Sequence, residues 1–351
     1  MPDISFLAIL PEMLSNPILL LIIVLSMGTL LMNGAHDASN AIATCVATRS
    51  MTPGKALLMA SICNFLGVSL ATLISTAVAK TMLGMVNFSG DNHAALVALA
   101  AAMVAIIVWG GVTWYFGIPT SQSHALIAGI TGAAIALQNG ISGINFNEWV
   151  KVLWGLVVAA GLGFVFGWAI SKLLGKLCAH ADHRKSDKVF GKLQDIAAAI
   201  LAFLHGAQDG QKFMSICVLG MVLALGYGQE DIPDFPLWIM ILCSTCMCLG
   251  TAVGGKKIIK SVGMNIVKME KWQGFSATLA ASICIFISNE TGLPISTTHT
   301  KTTAIMGVGT AKRARAVNWG AAKSMFAAWI YTFPGCGLIG YVLAKLFMAV
   351  L

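Results

Sequence analysis

An aspartate occurs twice inside stretches that otherwise read as membrane-spanning, each time in similar polar company. The copies are Asn33-Gly34-Ala35-His36-Asp37-Ala38-Ser39-Asn40 and His205-Gly206-Ala207-Gln208-Asp209-Gly210-Gln211-Lys212, with Asp37 and Asp209 172 residues apart. A second duplicated pattern follows each, Gly117-Ile118-Pro119-Thr120-Ser121-Gln122-Ser123-His124 and then Gly292-Leu293-Pro294-Ile295-Ser296-Thr297-Thr298-His299, offset by 175. Two polar-tipped, interrupted apolar segments at matching positions of two halves point to a midplane substrate site in a secondary transporter.

The surroundings are membrane-like. Only 10% of the 351 residues are charged, 57% are hydrophobic and mean hydropathy is +0.82, whereas a soluble domain carries about 25% charged residues. Apolar runs exceed the roughly 20 residues that span a bilayer and are rich in Gly and Ala without alternation, which excludes a β-barrel. The first run, Pro17 to Met32, lacks a basic leader and a small-residue cleavage site, so it reads as a retained helix. The net charge of +8 sits in short loops between apolar segments, where it reports orientation, not nucleic-acid binding. Nine cysteines lie mainly in apolar segments and read as small core residues; Cys243, Cys246 and Cys248 have no His or carboxylate nearby to complete a metal site.

Apolar segments fall at about 18–47, 56–84, 94–116, 120–138 and 149–177, then 193–226, 237–254, 273–291, 295–310 and 324–349. The expectation is an all-α integral membrane protein with an inverted-topology repeat of five plus five segments. That makes 10–12 spans once half-helices or hairpins are counted, because 193–226 is long for one span while 120–138 and 295–310 are short. Residues 1–177 form the first repeat, 178–192 a cytoplasmic linker and 193–351 the second repeat. The spacing from Asp37 to His124 is 87 and from Asp209 to His299 is 90, so the motif pairs keep their places in both halves. Basic loops at 49–55, 172–192, 256–271 and 312–323 go to the cytoplasm by the positive-inside rule, leaving both termini extracytoplasmic. His180 and His183 in the linker read as solvated residues, not metal ligands.

Pro119 and Pro294 preset first helical turns. The hydroxyls that follow would converge there with free backbone N–H groups and the positive end of a helix dipole, which makes an anion site. Thr120, Ser121, Gln122 and Ser123 in one half and Ser296, Thr297 and Thr298 in the other are the candidate contacts, gripping a tetrahedral oxyanion from both sides. Asp37 and Asp209 each cost about 2.5–3.5 kcal/mol or more at mid-bilayer, so they mark a relay, an ion site or a pair. A carboxylate does not hold an anion, but it binds Na⁺, takes up H⁺ or sits beside a divalent cation that travels with the anion. Lys212, three residues after Asp209, is its obvious ion-pair partner. His124 and His299 donate to the anion, relay a proton or bond a backbone carbonyl. Lys301, whose first-half counterpart is Leu126, faces Asp37, Asp209 or the anion, or else snorkels to an interface.

On these motifs the chain resembles the inorganic phosphate transporter family, and specifically its bacterial low-affinity permease branch. The blocks include Asn33 to Asp37 with Ala41 and Thr44, Cys63-Asn64-Phe65-Leu66-Gly67-Val68, Thr113 to Gly117, Ser123-His124, His205 to Lys212 and Pro294 to His299. The resemblance implies symport of inorganic phosphate across the bacterial plasma (inner) membrane by a multi-pass homodimer, with no enzymatic activity and no cofactor beyond the coupling ion. It assigns Ser121, Ser123, Ser296, Thr297 and Thr298 to the anion and Asp37, Asn40 and Asp209, with His36 and Gln208 beside them, to the coupling ion. Sodium-driven members commonly read Asn-Asp at both aspartates; here the pairs are His36-Asp37 and Gln208-Asp209, which favours H⁺ over Na⁺, with phosphate entering alone or as a metal complex.

Three other readings stand against this one. The same helix ends accept sulfate or another tetrahedral oxyanion. A passive anion channel has the wrong lining, since buried carboxylates repel its cargo. A Ser-His-Asp hydrolase needs one asymmetric nucleophile and base, which this twofold duplication does not provide.

Overall fold

The computed structural model describes residues 2–88 and 90–351, and its helices follow the duplication. A short leading helix α1 (Phe6–Ser15) precedes α2 (Pro17–Ala47), α3 (Pro53–Ile74), α4 (Ala77–Gly84), α5 (Asn92–Phe116), α6 (Gln122–Leu137) and α7 (Phe146–Leu177). The series then repeats in order as α8 (His183–Ala224), α9 (Leu237–Val253), α10 (Lys256–Met264), α11 (Lys271–Thr291), α12 (Thr297–Lys312) and α13 (Trp319–Val350). Equivalent devices bound equivalent helices. Asn145 and Asn318 cap α7 and α13 by accepting from Glu148 N and Ala321 N. Gly117 and Gly292 end α5 and α11 in the left-handed region, at φ +71° and +67°, a conformation that costs glycine nothing. Among the described residues β structure is limited to two isolated bridges, Val86–Ile144 and Val267–Val317, one per half.

Six helices, α2, α3, α5, α7, α8 and α13, are long and apolar enough to cross a bilayer among the described residues, and α9 with α10, bent by 72°, makes a seventh if taken as one span. All ten expected segments are helical, but three details differ from expectation. Segment 56–84 breaks at Ser75–Thr76 into α3 and α4, and a second short helix, α10, forms inside the basic stretch after α9. Segment 193–226 is neither a hairpin nor a broken span: α8 runs unbroken for 42 residues. Its first turns absorb residues 183–192, because Asp182 caps them by accepting from Arg184 N at 2.8 Å and Lys185 N at 3.4 Å, so the non-helical connection shrinks to 178–182.

The halves interlock through a reciprocal set of contacts. Gly67 on α3 lies against the Phe203 carbonyl of α8, and Gly250 on α9 against the Leu31 carbonyl of α2. Gly132 on α6 meets Gly337 on α13, and Gly307 on α12 meets Phe164 on α7. Each contact maps onto its partner under the 172–183 residue offsets, as an isologous two-fold interface requires. The symmetry mates α2 and α8 run antiparallel side by side: Cys45 Sγ reaches Gln194 O at 3.9 Å, while Ile22 packs on Gly220. The axis relating them is therefore perpendicular to both helices. Small residues make these close backbone approaches possible, as in membrane helix pairs generally.

The hairpins are held the same way. α5 folds back onto α6 and α11 onto α12. The α11–α12 turn is gripped by α4 of the other half, where Thr81 Oγ1 donates to Gly292 O at 2.8 Å, and the α5–α6 turn by α10, where Lys257 Nζ donates to Tyr115 O at 2.8 Å.

At Gly67 and Gly250 an added Cβ would meet a backbone carbonyl that cannot turn away, so Gly67→Ala and Gly250→Ala should each lower stability by about 1–3 kcal/mol. Gly161→Ala, at a helical position with nothing within 4 Å, should leave it unchanged; thermal melts of the detergent-purified protein compare the three.

Candidate functional site

The four duplicated motifs meet at the interface of the halves. Ser121 caps α6, accepting from His124 N at 3.2 Å, and Ser296 caps α12, accepting from His299 N at 3.2 Å. The two cap hydroxyls touch: Ser296 Oγ donates to Ser121 Oγ at 2.8 Å. Two positive helix ends thus face each other with their hydroxyls between them.

Each half of this nucleus repeats one chain of bonds. In the first, Asn40 Nδ2 donates to Thr298 Oγ1 at 3.0 Å, and Thr298 Oγ1 to Asp37 Oδ1 at 3.2 Å. In the second, Lys212 Nζ donates to Ser123 Oγ at 2.9 Å, and Ser123 Oγ to Asp209 Oδ1 at 3.4 Å. Asn40 and Lys212 are 172 residues apart and Ser123 and Thr298 are 175 apart, so the same position carries an amide in one half and an ammonium in the other. Lys212 also donates to Asp209 Oδ1 at 2.8 Å and to Ile295 O at 2.6 Å. Asn40 reaches Thr297 as well, at 3.5 Å. All these side chains are buried.

The histidines break the symmetry further. His36 Nδ1 lies 3.3 Å from Asp37 Oδ1, while its Nε2 faces Thr113 Oγ1 at 3.2 Å and Thr120 Oγ1 at 3.3 Å. A proton on Nδ1 satisfies both sides, donating to the carboxylate and accepting from a hydroxyl. Thr120, expected at the anion, is thereby engaged by His36 and Thr113.

His205, the mate of Asn33, was outside the residues that motif reasoning assigned to the site, although the 172-residue offset marks it. Thr251 gives its hydroxyl proton to Met247 O at 2.8 Å, so it accepts from Asn64 Nδ2 at 2.9 Å. That turns Asn64 Oδ1 to His205 Nδ1 at 3.1 Å and places the ring proton on Nδ1. His205 Nε2 then presents a lone pair 3.3 Å from Asp209 Oδ2. One ligand atom from each of Asp37, His205 and Asp209 lies within 4.8 Å of the others. A nitrogen lone pair facing two carboxylates is a set that accommodates a cation, a proton included.

The remaining candidates sit around this nucleus. Gln208 Nε2 donates to Leu293 O at 2.9 Å and to Ser288 Oγ at 3.3 Å, tying α8 to the α11–α12 hairpin. Gln122 lies against Gly110 of α5, with no hydrogen-bond partner among the described residues. His124 and His299 pack ring to ring, centroids 4.2 Å apart, with His299 stacked on Trp329 at 3.7 Å and His124 against Phe333 at 4.5 Å. Lys301 departs from expectation. It neither snorkels nor meets a carboxylate: fully buried, its Nζ donates to Thr44 Oγ1 at 3.2 Å and Thr278 Oγ1 at 2.8 Å, because α12 carries it past the aspartates onto the faces of α2 and α11. The equivalent positions of the other half, Leu126, Ile216 and Met103, are buried and apolar.

Two interlocked helical halves meeting on a buried polar nucleus are the architecture of a membrane transporter. A model of the "Phosphate transporter family" matches residues 33–186 and again 176–340. The chain belongs to that family. It is 35% identical over 323 residues to the "Probable low-affinity inorganic phosphate transporter" of Bacillus subtilis (strain 168), covering 92% of this chain and 95% of the relative. It is 36% identical over 332 residues to the protein of the same name in Rhizobium meliloti (strain 1021), covering 93% and 95%. A solved structure described as "The sodium-dependent phosphate transporter" superposes with a TM-score of 0.85 at 21% identity, covering 95% of this chain and 100% of that one, and so shares the fold.

Lys212→Met removes the partner of a carboxylate that cannot reach water, and should destabilise the protein by about 3–5 kcal/mol. Adding Asp209→Asn should recover most of that loss, as thermal melts of the single and double variants will show.

Proposed function

We propose that this protein is a secondary active symporter that takes up inorganic phosphate, alone or with a metal ion, at the expense of a cation gradient. The observation that carries the reading is the contact between the two cap serines, Ser121 and Ser296, with hydroxyls leading from each side of it to a carboxylate. Phosphate at neutral pH keeps an O–H that can donate to Asp37 or Asp209, which sulfate lacks, so an anion site bordered by acceptors favours phosphate over sulfate. Ser121, Ser123, Ser296, Thr297 and Thr298 would hold the anion, with Thr120, Gln122, His124 and His299 shaping its surroundings.

The coupling ion is read from charge and donor type. Asp37 and Asp209 carry two negative charges and Lys212 supplies one positive charge, so the nucleus is one cation short of neutral. His205 Nε2 borders that deficit, and an imidazole nitrogen suits a proton or a transition metal better than Na⁺, which prefers oxygen. We therefore favour H⁺. The structural neighbour, described as sodium-dependent, supports the alternative, Na⁺ held by Asp37, Asn40 and Asp209. The antiparallel mates α2 and α8 support an inverted repeat with its axis in the membrane plane, and the basic loops support extracytoplasmic termini in a plasma-membrane protein.

Uptake into proteoliposomes with one gradient varied at a time tests the proposal. Phosphate accumulation should follow an imposed pH gradient. A response to sodium alone would transfer the coupling to Na⁺, and equilibration without accumulation would make the protein a channel. Asp37→Asn should abolish accumulation while phosphate binding persists, whereas Ser296→Ala with Thr297→Ala should raise KM for phosphate by about tenfold or more, the loss of one or two hydrogen bonds to a charged ligand. Wild-type accumulation by both variants would refute these roles.

A further inference from the structure

The two halves carry equivalent cavities at opposite ends of the symmetry, one of mixed charge and the other lined by cations alone. Each is built around its half's isolated bridge, the end of its short helix and the turn after its half-length helix. The first, about 720 Å³, is lined by Val86 and Ile144 at the bridge, with Lys80, Glu230 and Asp234 as its charged groups. The second, about 410 Å³, is lined by Val267 and Val317 at the bridge, and its charged groups are Lys268, Lys312, Arg313 and Arg315. No carboxylate lines it. Lys312 reaches Glu270 from the rim at 3.7 Å, while the other three cations have no ion pair among the described residues.

The repeat itself does not impose this charge, since the equivalent cavity is mixed. Orientation in the membrane requires cations in these loops but not their convergence from two chain segments, 268 and 312–315, onto one concavity. Four like charges around a cavity repel one another, and an anion among them removes that repulsion. Its volume falls in the range of roughly 300–1,000 Å³ usual for small-molecule sites. Two guanidiniums present forked donors that match phosphoryl oxygens two at a time.

We propose that Lys268, Lys312, Arg313 and Arg315 form a binding site for a polyanionic phosphoryl group, separate from the central serines and on the face that the positive-inside rule gives to the cytoplasm. The group belongs to an anionic lipid head or to a free phosphorylated metabolite. The site adjoins the C-terminal end of α12, whose N-terminal end carries Ser296, Thr297 and Thr298, so a bound ligand acts on the helix that positions the candidate anion contacts.

The test uses the full chain carrying Ser296→Ala and Thr297→Ala, which weakens the central site, and compares it with and without the substitutions in the basic cavity, so that any response lost with those cations is separate from the transport proposal. Two probes separate the sources: pyrophosphate added to protein in phosphatidylcholine nanodiscs, and nanodiscs in which phosphatidylglycerol replaces part of the phosphatidylcholine. Pyrophosphate binding seen by calorimetry, weakened by added salt and reduced by about tenfold or more in Lys268→Gln/Arg313→Gln/Arg315→Gln, identifies a soluble ligand. A rise in melting temperature with phosphatidylglycerol that the triple variant loses identifies a lipid head. Lys80→Gln, in the equivalent cavity, should change neither result. If the triple variant does not fold, Arg313→Gln alone takes its place. Equal responses of the variant and its parent to both probes would overturn the proposal.

Discussion

Two carboxylates share a water-poor space with a single ammonium, and most of the polar architecture follows from that imbalance. Asp209 is held by Lys212, whose three donors are spent on the carboxylate, a serine and a backbone carbonyl. Asp37 has only hydrogen-bond donors around it, from Thr298 and His36. In a low-dielectric interior a hydroxyl stabilises a charge less than an opposite charge does. The side of Asp37 is therefore where an added positive charge gains most, and a ring nitrogen of His205 lies within 4.8 Å of it.

Interlocking is what brings these groups together. Each carboxylate takes a hydroxyl from the other half: Thr298 of the second repeat binds Asp37 of the first, and Ser123 of the first binds the Asp209–Lys212 pair of the second. Glycine contacts at Gly67, Gly132, Gly250 and Gly307 let backbones of opposite halves approach closely enough for one-bond reach between short side chains. A motion of one bundle against the other therefore stretches the same bonds that define the site.

Much of the frame was legible before any coordinates, because duplication and apolar length are local signals, and all ten expected apolar segments are helical. The unbroken 42-residue α8 was not legible, since its basic first turns look like a solvated loop until Asp182 is seen capping them. The break at Ser75–Thr76 carries no proline or glycine to announce it. At the site, the proximity of the two aspartates was foreshadowed by their matching surroundings. The roles of Asn64 and Thr251 were hidden, because their effect on His205 passes through three helices distant in sequence. Lys301 was visible as an anomaly, but its hydroxyl partners, Thr44 and Thr278, could be found only by folding the chain.

That lysine has a consequence for direction. A two-fold axis that swaps the inner and outer ends of a molecule would make inward-open and outward-open shapes equal in free energy if the halves were identical. Here the swap exchanges an ammonium and two hydroxyls for Leu126, Ile216 and Met103. Water reaching one of these places would meet an amine and two hydroxyls, and at the other only apolar side chains. The two ends of the pseudo-symmetric molecule are thus unequal in free energy before any gradient or cargo acts on them.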